Sequence, residues 1–159
     1  MNIRKTEYQN EKNRGAEESE KQIGERHGVI PRHEKLWVWQ KAHKLMLLIH
    51  NICKKLPRNE YFRLTDQIER SSKSVQDNIA EGCSDYYFNN KIKAYYVSRK
   101  EAAETQNHIR EMEGKSYIDK ILSQALIDEY EEVIRGLNGL INKTCEIREY
   151  YSSKGTRKL

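Results

Sequence analysis

Along residues 36–56 the apolar side chains fall at Trp39, Ala42, Met46, Ile49, Cys53 and Leu56. Steps of three and four line one face of a helix in a bundle. Val38, Leu45, Leu48 and Ile52 form a second line beside the first. A helix apolar over so much of its circumference needs more than one neighbour, so this one is expected to touch both its own bundle and a second subunit. Pro57 stops it, because proline lacks the amide hydrogen and clashes with the preceding turn.

The same period returns in a second helix, from residue 59 or 60 to 81, with Phe62, Thr65, Ile68, Ser72, Val75 and Ile79 inward. Gly82 is read as the left-handed residue that ends it. A third helix is expected over residues 90–112, burying Ile92, Tyr95, Tyr96, Ala102, Ala103, Ile109 and Met112, with Gly114 beyond its end. Asp119 is a natural N-cap for a fourth helix running to about residue 151 and carrying Leu122, Leu126, Tyr130, Val133, Leu137, Leu140 and Ile147. No segment alternates with strand period. Four helices joined by short connections give an all-α fold, an antiparallel up-down four-helix bundle over residues 36–152. Residues 1–35 are polar and mixed in charge, too poor in large apolar groups to repay ordering, and read as a flexible N-terminal arm. Residues 153–159 read as a basic tail.

Composition narrows the classes. No run approaches the roughly 18 apolar residues of a membrane span, so the expected setting is cytoplasmic, without a membrane partner. Cys53, Cys83 and Cys145 are widely spaced with no C-x-x-C and no histidine pair at ligand spacing, so neither a metal site nor a cofactor is expected. His43 and His50, seven apart on the first helix, read as two imidazoles at the surface or at the edge of the core. Glu101, Glu104, His108 and Glu111 resemble part of a carboxylate-bundle ligand set, but a second such group is missing, and no catalytic residue is assigned.

Charge is uneven along the chain. Residues 36–100 hold twelve Lys and Arg against six Asp and Glu, whereas residues 101–159 hold nine against eleven. Lys54, Lys55, Arg58, Arg63, Arg70, Lys73, Lys91, Lys93, Arg99 and Lys100 carry most of this excess and are the candidate nucleic-acid contacts. Tyr86, Tyr87 and Phe88 lie in a connection among them, either stacking on unpaired bases or folded over the end of the bundle.

The segment "SSKSVQDNIAEG", residues 71–82, is the least ordinary part of the second helix. Its serines suit close helix packing, with hydroxyls bonded back to the preceding turn. Glu81 in a last turn opposes the helix dipole, which points to a cation that pairs with it, from this chain or from a neighbouring subunit, or else to direct contact with a ligand.

This segment, with "LWVWQKA" (residues 36–42), Leu56-Pro57, "LTDQIER" (residues 64–70) and "EAAETQ" (residues 101–106), resembles the four-helix bundle proteins named after the intervening sequences of bacterial 23S ribosomal RNA genes, the S23-type family. The resemblance covers about residues 36–150. It implies a homopentameric ring and kinship with the accessory variability proteins of diversity-generating retroelements, which bind a reverse transcriptase and nucleic acid. It places Asn78, Glu81 and Gly82 on the family's signature; their position along the second helix points to a role at the helix end or at a subunit contact. The chain departs from the family at "CSDYYFNN", residues 83–90, and at Arg99 and Lys100. The functional expectation is a non-enzymatic homo-oligomeric adaptor that binds RNA or DNA, a reverse transcriptase, or both. The alternative is a protein-interaction scaffold that leaves nucleic acid alone.

Overall fold

The computed structural model describes residues 30–155. The expected arm up to residue 29, and the expected tail from residue 156, lie outside the described residues. The end of the supposed arm is ordered: His33–Lys35 form a 3-10 turn. The His33 ring meets Trp39 edge-on at 5.1 Å, and the Gln40 side chain donates to the Glu34 carbonyl at 2.7 Å.

Four helices follow: α1 (Trp37–Cys53), α2 (Asp66–Ser84), α3 (Phe88–Gly114) and α4 (Lys120–Ser153). Each packs on the next, and α4 returns to α1. The pairings between neighbours fix their direction. From His43–Gln76 to His50–Glu69, contacts move seven residues forward on α1 and seven back on α2. The same exchange takes Lys91–Gly82 to Ser98–Val75 between α2 and α3, and Arg99–Asn138 to Gln106–Glu131 between α3 and α4. Lys41 bridges Glu129 and Glu132 of α4. The bundle is therefore antiparallel and up-down, with a seven-residue repeat at its seams.

The core agrees with the apolar pattern in α4, where Leu126, Tyr130, Val133 and Leu137 are buried and the Asp119 side chain accepts the Leu122 amide at 2.8 Å as N-cap. It shifts elsewhere. In α1 the buried line is Val38, Ala42, Leu45, Ile49 and Cys53, drawn from both expected stripes, while Trp39 moves to the flank and stacks on His43. Leu48 is exposed. In α3 the expected Tyr96 and Ala103 face outward, and Ser98 and Thr105 take the inner positions. Burial is possible because each hydroxyl finds a partner on α2: Ser98 Oγ donates to the Val75 carbonyl at 2.7 Å, and Thr105 Oγ1 to Ser71 Oγ at 2.9 Å. The α2 serines behave as expected, Ser71 and Ser72 donating back to the carbonyls of Ile68 and Glu69.

Between α1 and α2 the chain makes a 3-10 turn (Arg58–Glu60) and then a π-helical turn (Tyr61–Thr65). The π turn carries extra residues per turn, so the regular period stops at Leu64 and Phe62, expected in the core, is 87% exposed. Glu60 in this connection is buried beside the α3–α4 connection. Its carboxylate accepts from Lys115 Nζ at 3.1 Å and from the Tyr117 hydroxyl at 2.9 Å, and these hydrogen bonds hold it below the usual carboxylate range.

A carboxyl whose folded pKa is depressed stabilises the fold fully above its unfolded value of about 4.3, and that contribution is lost as pH falls through the folded value. Denaturant midpoints measured from neutral pH downward are expected to fall on the acid side. Glu60→Gln should lower the neutral-pH midpoint and flatten the acid limb; an unchanged limb in the variant would contradict this reading of Glu60.

Candidate functional site

The ten candidate cations do not share one setting. Lys54, Lys55, Arg58 and Arg63 gather at the α1–α2 connection, all exposed, and none makes an ion pair among the described residues. Lys54 donates only to the Asn51 side chain, at 3.4 Å. Arg70 pairs with Asp66 at 2.6 Å, and Lys73 pairs with Asp77, both along α2. Lys91 Nζ donates to the carbonyls of Gly82 and Cys83 at 3.3 Å, so it caps the C-terminal end of α2. Arg99 donates to Asn138 on α4 at 2.8 Å and lies 4.9 Å from the centre of the Tyr96 ring. Lys93 and Lys100, seven residues apart on α3, are exposed.

Four of the ten candidate cations thus gather at one end of the bundle. The antiparallel order puts the α3–α4 connection at the same end, as the Glu60–Lys115 contact shows, and Lys120 adds a further exposed cation there. The acids at this end are engaged: Glu60 by Lys115 and Tyr117, Asp119 as N-cap, and Glu113 by Arg110 at 2.7 Å. Tyr61 and Phe62 stand here as well, with ring centroids 4.9 Å apart and planes at 90°. Hydrophobic periodicity assigns Phe62 inward and cannot register a π turn, so this pair is not found from sequence.

At the opposite end, Gly82 departs from its expected role. α2 continues through Ser84, and among the described residues only Ser116 and Gly155 have positive φ. Gly82 is buried inside the helix, where a Cβ would lie 2.5 Å from Cε1 of Tyr95. It is a glycine of close approach, not a helix stop. Asn78 folds back on its own helix, its amide donating to the Ser74 carbonyl at 2.8 Å and to Ser74 Oγ at 3.0 Å. The Glu81 carboxylate makes no hydrogen bond or ion pair among the described residues. The cation expected to pair with Glu81 is not found among the described residues; Lys91 instead reaches the terminal carbonyls of α2 directly. Asn78 and Glu81 share a groove of about 300 Å3 with Asp85, Asn90 and Lys93. Of the loop aromatics, Phe88 stacks on Tyr151 at 5.9 Å, while Tyr86 and Tyr87 are exposed.

The remaining candidate chemistry is quiet. Burial pushes the Cys53 thiol up to about 12, with the Glu69 charge adding to it, far from a reactive thiolate. His108 is buried on α3, its two ring nitrogens 3.7 Å from Glu104 and 3.8 Å from Glu111. No group of three or more His, Cys, Asp or Glu among the described residues is placed to hold a metal ion. No helix there is long and apolar enough to cross a membrane.

Residues 34–139 match the family described as 23S rRNA-intervening sequence protein. Among solved structures, the chain is similar to a protein with unknown function from the S23 ribosomal protein family of Bacteroides thetaiotaomicron. The TM-score is 0.62 and the identity 24%, over 66% of this chain and 95% of that one. At that identity the likeness speaks for the fold. No curated protein matches the chain.

Proposed function

Because the chain belongs to the 23S rRNA-intervening sequence protein family, we propose that it is a non-enzymatic homo-oligomeric adaptor that binds nucleic acid, RNA above all. In this reading the oligomer is a pentamer, and a nucleic-acid enzyme such as a reverse transcriptase is the protein partner. The observation that carries the reading is the α1–α2 connection. Four cations stand exposed there with no ion pair among the described residues, whereas Arg70, Lys73, Lys91 and Arg99 are engaged within the bundle. Unpaired cations on one end are the footprint that a phosphate backbone requires, and closed symmetry multiplies it. The family's name sets it beside an RNA element, in agreement with that chemistry.

Support for assembly comes from α1. Trp37, Leu47 and Leu48 are exposed on it, and Trp37 borders a groove of about 540 Å3 with Gly136, Gly139 and Leu140 of α4. Apolar surface of this kind marks a protein contact. The Glu81 carboxylate, which has no ion pair among the described residues, favours the second reading, a protein scaffold, because it can receive a cation from a partner.

Salt separates the two. Four phosphate contacts to a single strand give a log–log slope of about −3, so affinity for RNA should fall tens of fold between about 50 and about 200 mM salt. An association with RNA that ignores salt, or none at low salt, would leave the scaffold reading standing instead.

A further inference from the structure

The α1–α2 end of the bundle holds two features that phosphate attraction does not need. One is the Tyr61–Phe62 pair, 60% and 87% exposed, rings at right angles. The other is a groove of about 370 Å3 lined by Lys54, Leu56, Pro57, Arg58 and Tyr61. Glu69 and His50 also border this groove, joined to each other at 2.7 Å, so one carboxylate stands on its wall beside the two cations. The aromatic pair is displayed by the π turn, a helix irregularity frequent at functional sites. Had α2 begun with regular period, Phe62 would lie on the seam with Thr65 and Ile68.

We infer that this groove and the Tyr61–Phe62 pair bind an unpaired nucleotide of a single-stranded RNA, the base stacked on the aromatic faces and the flanking phosphates on Lys54 and Arg58. The inference rests on the nucleic-acid reading above and adds which form of RNA is recognised. A base offers a flat face and a phosphate a charge, and the site presents a ring and a cation on the walls of one groove. Duplex RNA hides its base faces and can use only the cations. The second exposed aromatic pair, Tyr86 and Tyr87, is a poorer candidate. Lys91 there is committed to carbonyls, Arg148 donates to Asn89 at 3.0 Å, and Glu81 and Asp85 border the nearby groove.

The test uses the full chain, a fluorescein-labelled oligouridine of about twelve nucleotides and an RNA duplex of about the same length, read by anisotropy at low salt. Phe62 is so exposed that Phe62→Ala leaves the fold intact, and Tyr61→Phe keeps the ring as a control. The expected result is that Phe62→Ala weakens oligouridine about tenfold, with duplex affinity and the salt slope unchanged, and that Tyr61→Ala does likewise while Tyr61→Phe does not. Equal effects on single strand and duplex, or none on either, would overturn the inference and leave the nucleic-acid reading in place. Loss of assembly in Phe62→Ala without loss of RNA affinity would overturn it too, assigning the pair to a contact between copies. If the unaltered chain binds neither RNA, the proposed function falls and this inference with it.

Discussion

Gly82→Val lowers the stability of the bundle by about 3 kcal/mol, seen as a fall of about 10 °C in the melting temperature. A Cβ at this position meets Cε1 of Tyr95 at 2.5 Å and Cδ1 at 2.9 Å. Tyr95 cannot move aside, because it is 4% exposed in the seam between α2 and α3. Valine adds two methyl groups to a contact already too short for one, in an interior packed as densely as a crystal. Gly82→Ala is milder, since alanine's better helix propensity returns up to about 1 kcal/mol. Calorimetry on the two variants, and on Gly82→Ala combined with Tyr95→Leu, checks the cause. Removing the ring should recover part of the alanine penalty, as residues in contact do not act additively. Gly136→Ala is the comparison. Its Cβ would also approach closely, 2.7 Å from Cη2 of Trp37 and 2.9 Å from Cγ2 of Val38; the Trp37 ring is 54% exposed and can swing outward, which leaves the buried Val38 methyl as the one contact that must give.

That contrast shows what periodicity can and cannot disclose. The long seam of α4 and the Asp119 cap are legible because apolar spacing and cap chemistry are local properties. Gly82 is not legible in the same way. A glycine followed by "CSD" near the end of an apolar pattern reads as a stop, and only the third helix, with Tyr95 at the facing position, reveals it as a close approach. Ser98 and Thr105 are missed as core residues for a related reason: polar side chains enter a core when a carbonyl or hydroxyl on the facing helix receives them. Phe62 fails on period, since one π turn changes which side of the helix a residue faces. For the candidate site, sequence supplies the cations but not their engagement. Lys91 looks like Lys54 along the chain, yet one caps a helix and the other faces water.

Replacing Lys54, Lys55, Arg58 and Arg63 together by glutamine is expected to weaken RNA binding about a hundredfold at about 0.15 M salt, and to flatten the log–log salt slope by nearly 3. Arg70→Gln with Lys73→Gln, removing charges already paired with Asp66 and Asp77, should change affinity only a few fold. The four cations of the connection are exposed and bear no core packing, so stability should hold within about 0.5 kcal/mol. Anisotropy titrations across salt concentrations read affinity and slope together. Equal losses in the two sets would mean that RNA follows the general charge of the molecule instead of the connection. An unchanged slope in the fourfold variant would remove the α1–α2 end from the interface.

Assembly into a ring and use of this end to hold RNA are read together by one experiment, mass by light scattering, with and without a structured RNA, at low and high salt. The expected result is a mass of about five chains that rises with RNA at low salt and returns to the protein's own value at high salt. A monomer whose mass ignores RNA at every salt concentration would contradict both the assembly and the interface.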